Sequence, residues 1–111
     1  MSQLEKTRAD FAWRKTEGCS KEYRNLAKGL PALIMSNGLI QTLGFLKAKG
    51  KHHHAQAAEH IEDWLQQALN QSGGIPQLIG LEPAAYRRAT EEVVAILRWL
   101  RHFADVRHSN D

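Results

Sequence analysis

The sequence predicts an all-α fold: a compact single-domain bundle of about five to six helices spanning residues 1–111. Three observations predict it. Apolar residues recur at three- and four-residue spacing along nearly the whole chain. Alternating β-branched runs are missing, with valine confined to Val93, Val94 and Val106 and isoleucine scattered. The 111 residues, 42% hydrophobic and 24% charged, have ordinary globular composition and can bury a core without disulfide staples.

A first helix is expected from about Gln3 to Lys15, with Leu4, Phe11 and Trp13 to bury and Thr16-Glu17-Gly18 closing it. Ser20 is suited to cap a second helix. There Tyr23, Leu26, Ala27 and Leu30 share one face, while Lys21, Arg24 and Lys28 share the other. An interior proline costs about 3 kcal/mol, so Pro31 should break or kink this helix, which resumes through Ala32 to Met35. Asn37-Gly38 signals a left-handed turn, and Leu39, Ile40, Leu43 and Leu46 begin the next stripe, ending at Lys49-Gly50. A loop rich in Lys and His leads to a helix from about His54 to Asn70. Its apolar side is Ala57, Ile61, Trp64, Leu65, Ala68 and Leu69; Glu59, His60, Asp63 and Gln67 make the polar side. Ile75 to Leu81 is short enough for one or two turns. Pro83 fits the first position of a last helix running to about Val106, with Tyr86, Ala89, Val93, Ile96, Leu97, Leu100, Phe103 and Ala104 buried.

Several function classes find no support. The single cysteine, Cys19, can form neither an internal disulfide nor a thiolate zinc cluster and suits a reducing compartment. Beside Lys21 its thiol is expected to be slightly acidified, with no partner base. No apolar run approaches the roughly 20 residues that cross a bilayer, and the opening residues lack a signal-peptide core, so a cytoplasmic setting without membrane contact is expected. Gly73-Gly74 lacks the following Lys-Ser/Thr of a phosphate-cradling loop, and no nucleophile elbow occurs. The best metal candidates are His52, His53 and His54 with Glu59, His60 and Asp63. Three consecutive histidines point in different directions, however, and cannot converge on one ion. No catalytic residue, metal site or cofactor is expected.

Basic surfaces are better supported in a chain of net charge +3. On the last helix Arg87, Arg98 and Arg101 cluster opposite the buried stripe. Arg98, Arg101, His102 and Arg107 suit the negative end of the helix dipole, whereas Arg87 and Arg88 stand at its positive end. Glu91 and Glu92 are their i+4 neighbours, in the less favourable orientation for ion pairs. A phosphate bound by both guanidinium groups and the exposed first-turn N–H groups is the other way to satisfy them. Lys21, Arg24 and Lys28 form a second group. Lys47, Lys49 and Lys51 form a third, expected at a helix C-terminus. Three basic patches on one small helical protein point to a nucleic-acid backbone. Trp64 and Trp99 border apolar stripes and, with Trp13, are assigned to packing or protein contacts. The helix after Asn37-Gly38 is too apolar for a recognition helix.

Two segments carry a family resemblance. One is Tyr23-Arg24-Asn25-Leu26-Ala27-Lys28-Gly29-Leu30-Pro31-Ala32-Leu33-Ile34, continuing through Asn37-Gly38-Leu39 and Leu43-Gly44-Phe45-Leu46. The other is Tyr86-Arg87-Arg88-Ala89-Thr90 through Leu97-Arg98-Trp99-Leu100 and Phe103-Ala104. Together they resemble the small all-helical subunit family of the type III-B CRISPR effector, the Cmr (RAMP module) complex. The resemblance implies a non-enzymatic subunit whose copies stack head to tail into an inner filament beside guide-bearing subunits, with target RNA in the groove between. It brings no catalytic residues. A subunit that must hold any target should contact phosphates rather than base edges, and the three basic groups suit that task. A basic face at Lys21, Arg24 and Lys28 and an acidic one at Glu59, Glu62 and Asp63 also suit docking between copies. Two other readings stand beside this one: a stand-alone helical module with basic faces for acidic protein partners, and a small metal enzyme using His54, Glu59, His60 and Asp63.

Overall fold

A computed structural model describes residues 1–110, so Asp111, the last residue of the expected domain, lies outside the described residues. Six helices follow one another: α1 Gln3–Lys15, α2 Lys21–Asn37, α3 Leu39–Lys49, α4 His52–Leu69, α5 Ile75–Ile79 and α6 Pro83–Arg107. No strand occurs among the described residues. The all-α expectation holds.

Local chemistry sets the boundaries. Ser2 and Ser20 cap α1 and α2, each accepting a hydrogen bond from the backbone N–H three residues on. Gly38 joins α2 to α3 at φ +87° and ψ 164°, a conformation open to glycine and costly for other residues. Gly50 ends α3 in the left-handed region, and Pro83 opens α6 at a position that needs no N–H partner.

The core collects Phe11, Tyr23, Leu30, Ile34, Leu43, Trp64, Leu78, Val93, Ile96 and Leu100, drawn from all six helices. Helix α6 is the spine, packing on α2, α1 and α4; α3 packs on α4 and α2, and α5 on α3. Arg24, early in α2, meets Asp105, late in α6, while Ile40 just beyond α2 meets Tyr86, early in α6. The two helices therefore run antiparallel. The molecule measures 44 × 35 × 21 Å, a slab about two helix diameters thick.

Four sequence expectations need correction. Leu4 and Trp13 are about half exposed, because α1 lies on the rim and buries only Phe11 and Ala12. Of the break or kink expected at Pro31, the break does not occur: α2 continues through Pro31, whose own ring is buried, as are Leu30 and Ile34 on either side. Burying each such aliphatic side chain stabilises by about 1.5–3 kcal/mol, enough to offset the proline. His52 and His53 belong to α4 rather than to a loop. His60 is core, not surface: its Nδ1 lies 2.7 Å from the Tyr23 hydroxyl.

Candidate nucleic-acid interface

Four arginines of α6 stand out. Arg87, Arg88, Arg98 and Arg101 are exposed, and none forms an ion pair among the described residues. At 100° per residue Arg87, Arg98 and Arg101 fall in one row, with Arg87 about 16 Å along the axis from Arg98. The carboxylates that sequence spacing offers them are not engaged. Glu91 makes no ion pair with Arg87. Glu92 turns inward, where Arg8 Nε and Nη2 donate to its two oxygens at 2.9 and 3.0 Å and Trp64 Nε1 donates at 3.0 Å. That bidentate pair ties α1 to α6 and leaves Arg88 without its i+4 neighbour. Arg88 instead lines an open groove of about 610 Å³ between the end of α4, Gln67 to Gln71, and Ala84, Ala85 and Ala89 of α6. Glu82, the residue capping α6, gives no side-chain hydrogen bond, and no acidic residue lies in the first turn. The start of α6 thus carries two cations, with Glu82 at the cap as the adjacent carboxylate.

The second basic group meets the first. Arg24 Nε donates to Asp105 at 3.0 Å and Lys28 Nζ lies 3.8 Å from the same oxygen. The hydrogen bond from Arg24 chiefly, with the charges of Lys28 and Arg101, holds the Asp105 carboxyl below its usual range. Three cations around one carboxylate leave a net positive field where α2 and α6 adjoin. Lys21 is exposed and unpaired, so the stripe is partly consumed internally and partly free.

The third group splits. Lys47 is held by Glu62 at 2.9 Å, and Lys49 lies over the Phe45 ring at 5.5 Å. Lys51 is not at a helix C-terminus as expected. It is the residue capping the start of α4, followed by His52, His53 and His54, with no acidic residue in that turn. Here the Lys51 cation opposes the dipole rather than complementing it. Burial first, then His53, Lys49 and Lys51, lower the His54 pKa. The expected acidic face is likewise reduced, since Asp63 pairs with Lys15 at 3.0 Å and Glu62 with Lys47. Only Glu59 of that trio is unpaired among the described residues.

No three His, Cys, Asp or Glu side chains among the described residues are placed to hold a metal. Cys19 is half-buried and burial raises its pKa, against the acidified thiol expected from Lys21; Arg107 opposes that rise only in part. No described helix is long and apolar enough to cross a membrane. Trp64 is fully buried, while Trp13 and Trp99 keep exposed area. Sequence spacing missed the Arg8–Glu92 pair, which joins residues 84 positions apart. It also missed the stacking of the Arg107 guanidinium on Trp13, 3.4 Å from the ring centroid.

Comparison with known proteins adds a family. A family model described as CRISPR-associated protein (Cas_Cmr5) matches residues 4–106. The CRISPR system Cmr subunit Cmr5 of Thermus thermophilus is 36% identical over 108 residues, covering 86% of this chain and 88% of its own. The subunit of the same name from Thermotoga maritima is 27% identical over 88 residues, covering 77% of this chain and 66% of its own. The match takes in α1 through nearly all of α6, including both segments that carry the resemblance read from sequence. The chain belongs to the Cas_Cmr5 family of CRISPR-associated proteins.

Proposed function

We propose that this chain is the non-catalytic small subunit of a type III-B CRISPR RNA-guided effector complex, acting in antiviral defence in the cytoplasm. Copies stack head to tail with one another and with other subunits into the inner filament, and hold the backbone of guide and target RNA. The observation that carries this reading is the set of four exposed, unpaired arginines on α6 in a member of this family. A cation with no internal partner keeps its full attraction for a phosphate, whereas one already paired must first give up that pair. Arg87, Arg88 and Arg98 are therefore the principal contacts, joined by Arg101, which forms no ion pair but shares the field of Asp105, with Lys21, Lys49 and Lys51 beside them. Arg24, Lys28 and Lys47 contribute field more than direct grip. Other subunits do the chemistry. The two broad faces of the slab suit stacking, because a head-to-tail contact needs two different surfaces.

The internal pairing of Arg24, Lys28 and Lys47 favours a second reading for those residues: a stand-alone helical module whose basic faces meet acidic protein partners. Co-purification from the native host separates the two. Recovery with a guide RNA and several partner subunits is the expected result. A lone chain that ignores RNA even when the other subunits are supplied would overturn the proposal.

A further inference from the structure

Beyond the arginine row, α6 carries a shallow pocket of about 210 Å³ lined by Arg98, Trp99 and His102. Its three walls come from one helix: His102 is the i+4 neighbour of Arg98 and the i+3 neighbour of Trp99, so it stands between the two and joins them into one patch without help from a loop. The volume is below the roughly 300 Å³ of a pocket for a drug-sized ligand, which leaves room for one small planar group. Trp99 is only partly buried, unlike Trp64, whose indole is wholly enclosed and hydrogen-bonded to Glu92.

The indole is also braced. Its ring centroid lies 5.5 Å from that of Phe103, and Phe103 in turn meets Trp13 edge-on at 5.3 Å. Arg107 covers Trp13 and donates to its carbonyl at 2.7 Å. This row of rings joins α6 to α1 and fixes Trp99 in place. Arg98 and His102 flank it, both exposed and with no carboxylate paired to either among the described residues.

We infer that this pocket receives a single unpaired nucleotide of the bound RNA, its base stacked on Trp99 and its phosphate on Arg98. The inference rests on the phosphate-gripping reading above and extends it from backbone to base. Charge decides the class of occupant: an unneutralised guanidinium and an imidazole beside a braced aromatic face complement a group that is both planar and anionic. Stacking is sequence-tolerant because every base offers a π-face. The site therefore adds affinity for unpaired RNA without reading letters. A base paired to the guide is stacked within its duplex and cannot enter.

The test titrates the full chain at low salt with labelled oligoadenylate, with inorganic polyphosphate and with polyglutamate. Trp99→Leu is expected to weaken oligoadenylate binding about tenfold and leave polyphosphate unchanged, while Trp99→Phe recovers most of the loss. In a Trp13→Phe chain, where Trp64 is enclosed, oligoadenylate should quench the indole emission and polyphosphate should not. This readout stands even if Trp99→Leu fails to fold. Oligoadenylate bound by the parent chain without quenching, or equally by folded Trp99→Leu, overturns the base site and leaves the phosphate grip intact. Parent chain that binds neither polyanion also overturns the base site, while the phosphate grip is decided separately in the assembled complex. Quenching by polyglutamate as strong as by oligoadenylate assigns the pocket to acidic protein instead.

Discussion

His60 shows how one buried side chain sets a property of the whole protein. Burial lowers its pKa to about 4 from 6.5, with Lys15 adding to the effect and Asp63 opposing it. The neutral ring can accept from the Tyr23 hydroxyl, which burial keeps protonated by raising its pKa. A base held below its unfolded value takes its proton in the unfolded chain first. Stability is therefore complete above about pH 6.5 and falls as the pH drops toward 4, by about 3 kcal/mol in all. His54, lowered in the same direction, adds to the loss. Asp105 acts only further down, because a depressed carboxyl loses its contribution below the ordinary carboxylate range. Urea titrations between pH 7 and 4.5 should show this decline, and His60→Gln should flatten it. An equal slope in the variant would place the acid sensitivity elsewhere. Sequence put His60 on the polar side of α4 because periodicity gives an angle, not the reach of a partner such as Tyr23, 37 residues away.

Among the elements, the ends were legible and the contacts across elements were not. Ser20, Gly50 and Pro83 act through their own backbone neighbourhood, so the starts and stops of α2, α3 and α6 could be read directly. Pro31 is different. Its local cost is real, but packing of α2 against α6, α3 and α4 overrides it, and packing is invisible in a local window. The same limit hid the Arg8–Glu92 clasp, without which Arg88 cannot be judged free. Arg8 and Glu92 are largely shielded, at 18% and 14% side-chain exposure, so removing the cation leaves a shielded carboxylate with only Trp64. Arg8→Ala should destabilise by about 2–3 kcal/mol. Arg14→Ala, whose partner Asp10 is exposed, should change stability by less than about 0.5 kcal/mol. Thermal unfolding of the two variants compares them. Equal, small losses would mean the clasp holds little.

At the scale of the molecule, one core runs through all six helices with α6 as its spine. We propose that residues 1–111 fold as one unit. Far-UV circular dichroism and emission from the enclosed Trp64 should then report a single coincident unfolding transition; separate midpoints would divide the chain. All-α class and helix order follow from periodicity, which is why they were readable before any coordinates. The distribution of charge was readable only as three groups. Which cations remain unpaired depends on Glu62, Glu92 and Asp105 meeting them or turning away, and those are tertiary facts. The central claim is that unpaired arginines on α6 hold RNA by its phosphates. It is tested most directly by the salt dependence of RNA capture by the assembled complex with Arg87→Ala/Arg88→Ala. The slope of log affinity against log salt should flatten by about 0.7 per lost contact, about 1.4 for the pair, equally for every RNA sequence. An unchanged slope in a folded variant, or a loss confined to particular sequences, would contradict it.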